Sequence, residues 1–207
     1  MKKAPISVRI IQVLTTIAFW VMVALTAVVF LANVLFMSGV IDEEFQLRVM
    51  LPVTFSLEAS GTMPFADGLH EVRIEEASGK IHVVDTPMSF TRTISKVLFV
   101  VMAIGLFMTW KFKRFIDNIK KGQIFDKGNI DNLKHISLAL VLLYLVTKIY
   151  MTVFWQYSAR LIEFPGVQFS SEFIDIDPLI SVALLLWVLA HAFAKGYELQ
   201  EENDLMV

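Results

Sequence analysis

The chain has 207 residues, a formal net charge of -2, 56% hydrophobic residues and 18% charged ones, with a mean hydropathy of +0.64. That is too apolar for an ordinary soluble domain of this size, which removes most soluble-enzyme readings. There is no cysteine, so disulfides and thiolate chemistry are excluded.

Residues 1–12 carry Lys2, Lys3 and Arg9 ahead of an apolar stretch at 13–37 that is long enough to cross a hydrocarbon core. The stretch is too long for a signal-peptide core, and no small-residue cleavage site of the A-x-A kind follows it, so it is read as a retained first span.

Residues 38–90 change character. Between 41 and 87 nine acidic residues face three basic ones. Phe45-Gln-Leu-Arg-Val-Met-Leu alternates in the strand period, and Glu71-Val-Arg-Ile-Glu followed by Ser78-Gly79 and Lys80-Ile-His-Val-Val reads as a hairpin. An isolated hairpin is marginal in water, so it is expected to pair with the 45–58 strand or to rest on the membrane surface. The segment is long enough for a small β-rich cap and too short for an independent enzyme domain.

A second span follows at 91–110. Past Trp110 the helical period continues through Phe112, Ile116 and Ile119 with Lys111, Lys113, Arg114, Lys120 and Lys121 between them. Gly122 is a natural stop, and Asp126 or Asn129 can cap a new helix in which Ile130, Leu133 and Ile136 lead into a third span at 136–155. Residues 111–135 thus form a basic helical hairpin, suited to anchoring on anionic lipid.

Residues 156–177 are a second acidic loop with Phe164-Pro-Gly and Asp175-Ile-Asp-Pro. Asp177 before Pro178 starts the fourth span, 178–194, because the carboxylate accepts first-turn amides and proline suits the first helical position. Residues 195–207 form an acidic tail. By the positive-inside rule both termini and the 111–135 hairpin face the cytoplasm, while 38–90 and 156–177 face outward. The expected fold is an all-α transmembrane four-helix bundle with a small β-rich extracytoplasmic cap between its first two spans, in the inner (cytoplasmic) membrane.

Little catalysis is legible. His70 and His82 match no zinc spacing, and there is no His-Glu-x-x-His, phosphate loop or nucleophile elbow, so neither a catalytic centre nor a metal or cofactor site is assigned. Lys148 stands inside the third span and must be paired, snorkel outward or line a wet cavity. Asn33 and His191 are the other polar features of the spans. Thr15, Thr16, Thr26 and Thr147 can bond to helix carbonyls. The tail is the best interaction candidate: Glu198, Glu201, Glu202 and Leu205 follow i, i+3, i+4 and i+7 on one helical face, with Leu199 and Asp204 beside them. The bland alternative is a solvated tail, or one paired with the chain's own basic hairpin.

Two stretches carry a resemblance. Asn118-Ile-Lys-Lys-Gly-Gln-Ile-Phe-Asp-Lys-Gly-Asn-Ile-Asp-Asn-Leu-Lys-His-Ile and the terminal Gly196-Tyr-Glu-Leu-Gln-Glu-Glu-Asn-Asp-Leu resemble the YoaS-like bacterial four-span membrane proteins, a domain-of-unknown-function (DUF) family. The resemblance covers the second half of the chain well and the first half mainly in topology. It implies a partner, a small helix-turn-helix DNA-binding regulator of the Cro type often encoded beside such proteins. The expected function is then non-enzymatic regulation or sequestration of that transcription factor at the inner face of the membrane, without direct nucleic-acid contact. The alternative is a transporter or small-molecule receptor with a cavity around Lys148, which at four spans per chain would work as a homo-oligomer.

Overall fold

The structure is a computed structural model that describes residues 5–39, 49–56, 59–74, 77–83, 88–159, 168–170 and 176–205. Along the chain run α1 (Ile6–Ser38), β1 (Val49–Ser56), β2 (Ala59–Phe65), β3 (Gly68–Ile74), β4 (Ala77–Val83), α2 (Met88–Lys120), α3 (Lys127–Ala159), β5 (Gln168–Ser170) and α4 (Pro178–Leu205). They divide into two compact units: one of residues 1–42, 92–148 and 176–207, the other of 43–91 and 149–175.

The helical unit follows from the apolar runs. All four helices are long and apolar enough to cross a membrane, which suggests a multi-pass membrane protein. The first three have 33 residues and α4 has 28. At 1.5 Å per residue these are roughly 50 and 42 Å, longer than a hydrocarbon core of about 30 Å. The helices outrun the apolar stretches because the charged flanks are rich in Lys, Arg and Glu, all good helix formers.

α1 starts behind Pro5 and stops at Gly39, whose φ of 71° is left-handed. It lies antiparallel to α2, and its contacts step down that helix in register. Gln12 Nε2 donates to Asp117 Oδ1 at 2.8 Å, a Cβ on Gly105 would stand 3.0 Å from Met22 Cε, Phe30 and Phe99 have ring centroids 5.6 Å apart, and Asn33 Nδ2 donates to the Ser95 carbonyl at 3.0 Å. Asp117 also accepts from Lys113 Nζ at 2.7 Å, so the polar tie between α1 and α2 has its charge neutralised.

α4 packs on α3 through small residues. Ala183 and Ala190 are 1% and 0% exposed, and a spacing of seven residues puts both on one side of the helix. Ile136, Leu140 and Ala183 form the core, flanked by Met108, Val141, Leu179 and Leu186. Alanine lets the backbones approach closely enough that Ser137 Oγ donates to the Ala183 carbonyl at 2.7 Å, an interhelical bond of the kind membrane bundles use.

The second unit holds two antiparallel sheets, ordered β4-β1-β5 and β2-β3. The expected pairing of the 80–84 stretch with the 45–58 strand is present as β1 with β4, Val49 opposite Val83 through Phe55 opposite Ala77; residues 45–48 lie outside the described ones. The expected hairpin around Ser78-Gly79 is not formed. Gly79 sits opposite Val53 inside the β1–β4 ladder, while β3 turns back on β2 with Phe65 opposite Gly68. The reason is the two-residue turn at Ala66-Asp67: Gly68, at φ 143°, takes a backbone that other residues rarely adopt. β2 was illegible because Ala59-Ser-Gly has little strand propensity. The loop after α3 also contributes a strand, since β5 pairs with β1 through Thr54 and Ser170, Phe55 and Phe169, and Ser56 and Gln168. Pro52 lies where β1 is paired on one side alone, a position proline tolerates.

Candidate functional site

The hairpin between α2 and α3 is built by local chemistry. Gly122, at φ 85°, ends α2, with its amide donating to the Ile119 carbonyl at 3.0 Å. Asp126 caps α3: its carbonyl accepts from Asn129 and Ile130, and its Oδ2 accepts from the Gly128 amide at 2.9 Å. Asn129, the other expected cap, does something different. It is 0% exposed, and its Nδ2 donates to the carbonyls of Gln123 at 2.6 Å and Ile124 at 3.0 Å. Its Oδ1 accepts from Asn118 Nδ2 at 3.0 Å. One buried amide thus closes the 121–126 loop from inside, and the loop's carbonyls satisfy a polar group that burial would otherwise leave costly.

That loop holds Phe125 against the terminal helix. α4 continues unbroken to Leu205, and a Cβ on Gly196 would fall 2.6 Å from the Phe125 ring, so glycine is what permits the contact. Phe193 meets Phe125 at 5.4 Å and Phe115 at 5.8 Å between centroids, and Lys127 Nζ lies 5.3 Å from the Tyr197 ring centroid. Phe193, Gly196 and Tyr197 are spaced i, i+3 and i+4, so one side of the tail is committed to the hairpin.

The tail residues singled out from sequence occupy the other side. At 100° per residue, Glu198, Glu201, Glu202 and Leu205 lie within about 100° of arc, centred well over 90° from the Phe193–Gly196–Tyr197 side. All four are exposed, as is Leu199 at 56%; for Asp204 the helical backbone alone is described. Glu198 accepts from Lys195 Nζ at 2.8 Å. Two shallow grooves flank the tail where it meets the hairpin. One of about 350 Å³ runs between the 122–126 loop and Tyr197, Gln200, Glu201 and Leu205. The other, of about 380 Å³, has Lys127 and Lys134 on one wall and Glu198 and Glu201 on the opposite one.

The remaining polar candidates are separate from this surface. Lys148 Nζ is 3.7 Å from Asp177 Oδ1, which also accepts from Tyr144 Oη at 3.1 Å. Asp177 still opens α4 through its carbonyl, which accepts from Ile180 at 3.0 Å. His191 Nδ1 faces the Trp187 carbonyl at 3.0 Å, and Thr15, Thr16 and Thr26 return their hydroxyls to carbonyls one turn back. His70 pairs with Asp67 at 3.1 Å, the His82 side chain lies outside the described residues, and among the described residues no three His, Cys, Asp or Glu gather as a metal site.

What sequence reasoning missed is Asn129 as the internal clasp and Phe125–Gly196 as the tail's seat. A signal existed, since all three residues lie in the two stretches that carry the family resemblance. No curated protein and no solved structure matches the chain. The family pattern covers residues 79–207, from β4 through the hairpin and the tail, and leaves the first span outside it. With more than half of its length matched, the chain belongs to the family described as protein of unknown function (DUF2975).

Proposed function

We propose that this protein is a non-enzymatic regulator that holds a small helix-turn-helix transcription factor at the inner face of the cytoplasmic membrane, through the acidic face of its terminal helix. The observation that carries the reading is the orientation of α4 past Ala194. Its aromatic and glycine side is seated on the hairpin by Phe125, which leaves Glu198, Glu201, Glu202 and Leu205 exposed, with Glu198, Glu201 and Leu205 along the grooves that flank the hairpin. Carboxylates beside an apolar anchor suit a basic DNA-binding surface, which such a helix would occupy in competition with DNA. The family resemblance supplies the partner class. The basic hairpin supports the orientation, because lysine-rich short loops stay cytoplasmic.

A transporter or receptor built on a cavity around Lys148 is less well supported. Lys148 stands beside Asp177 and Tyr144, an arrangement that a structural ion pair accounts for.

The test is copurification of a small helix-turn-helix protein, where one is encoded beside this chain, with the full chain from detergent-solubilised membranes, at low and raised salt. The parent should retain it in a salt-sensitive way. A variant with Glu198→Gln, Glu201→Gln, Glu202→Gln and Asp204→Asn keeps side-chain size and should lose most of the binding. Equal recovery by both, or none by either, rejects the tail as the docking face.

A further inference from the structure

We infer that the groove between α2 and α3 is a binding site for one anionic glycerophospholipid, its acyl chain lying along the groove and its phosphate meeting Lys111 and Arg114. The groove has a volume of about 510 Å³ and is walled by apolar side chains that include Phe99, Ala103 and Phe107 of α2 and Leu142 and Val146 of α3, with His135 at one end. From Phe99 to Phe107 and from Val146 to His135 it runs roughly 12 to 17 Å along the helices, enough to take a large part of one acyl chain.

The end marked by Phe107 and His135 is where charge begins. The two rings stand edge to face at 6.2 Å, and Lys111 Nζ is 5.4 Å from the Phe107 centroid and 5.0 Å from that of Trp110. Arg114 stacks on the other partner, its guanidinium carbon 4.6 Å from the Trp110 centroid. Lys111 thus stands about one turn and Arg114 about two turns beyond Phe107, the last α2 residue of the groove, both against aromatic rings at the level where the apolar run of α2 ends and a headgroup would lie. Among the described residues neither cation has a carboxylate within ion-pair distance, although the intervening Lys113 is neutralised by Asp117. An apolar channel ending in two cations with no carboxylate partner among the described residues favours a lipid of net negative charge over a zwitterionic one, whose phosphate is offset by its own ammonium.

The experiment uses the full chain, exchanged into bilayer discs containing equal amounts of phosphatidylglycerol and phosphatidylcholine with matched chains, then gently extracted and its bound lipids counted by native mass spectrometry. The parent should retain phosphatidylglycerol over phosphatidylcholine by about tenfold. Lys111→Gln with Arg114→Gln should bring the ratio close to one, and Leu142→Trp, which fills the groove from an exposed position, should reduce retention of both lipids. Lys134→Gln, on the far groove beside the tail, should leave the ratio at the parental value. Equal retention of the two lipids by the parent overturns the site without recourse to any variant. So does a preference that survives the double substitution, or one that falls equally with Lys134→Gln, which would mark diffuse attraction to a basic surface.

Discussion

Phe125 and Gly196 are matched as ring and gap: the phenylalanine ring occupies the space a Cβ at residue 196 would need, at 2.6 Å from the nearest ring carbon. Gly196→Ala should therefore destabilise the protein by about 1 to 2 kcal/mol, the ordinary cost of overpacking. Phe125→Ala in the same chain should recover part of that loss by removing the obstruction. Thermal unfolding of the single and double variants in detergent measures the coupling, and simple additivity would mean that the two residues do not share this contact.

Asn129→Ala leaves the carbonyls of Gln123 and Ile124 and the amide of Asn118 without this partner and opens the 121–126 loop. The expected loss is about 3 kcal/mol. Asn129→Asp should be no milder despite its similar shape, because it turns a donor aimed at two carbonyls into an acceptor. Faster amide hydrogen exchange in the 121–126 loop of both variants is the accompanying signature; parental protection there would place the loop's stability elsewhere.

Ser137→Ala removes a buried interhelical hydrogen bond to Ala183. Such bonds in helical membrane proteins average about 0.6 kcal/mol, so a small loss is expected, with no change in helicity by circular dichroism. Ser137→Val should cost more, because it forces a branched side chain against Ala183, which is 1% exposed. A Val variant as stable as the Ala one would show that α3 and α4 are free to separate there.

Lys148 and Asp177 form a pair whose side chains are 46% and 68% exposed. In detergent the coupling between Lys148→Met and Asp177→Asn should be modest, on the order of 0.5 kcal/mol. In a bilayer Lys148→Met should alter assembly or reporter output more than Lys148→Arg, since arginine keeps the charge. Indistinguishable variants in both settings would reduce this lysine to a snorkelling side chain.

Because the chain has no cysteine, Ala66→Cys, Gln123→Cys and Asn203→Cys each give a label site without background. An impermeant maleimide applied to spheroplasts should modify the first and spare the other two. Labelling at Gln123→Cys or Asn203→Cys would overturn the proposed orientation and with it the docking surface.

Much of the helical unit was readable from residues alone. Apolar runs dictate long helices, because every backbone bond in a helix is made within a few residues and a bilayer demands just that. The stop at Gly122, the cap at Asp126 and the start at Pro178 follow from equally local chemistry, and so does the clustering of Glu198, Glu201, Glu202 and Leu205 on one face. Tertiary structure decided what depends on distant partners. Strand periodicity names a strand but not its neighbour, so β3 joined β2 and the short β5 reached β1 from a segment read as loop. Helical period shows that the tail has an acidic face without showing where it points. That direction is set by Phe125, which Asn129 holds from inside the loop and which fits against α4 at Gly196 because a side chain is missing there.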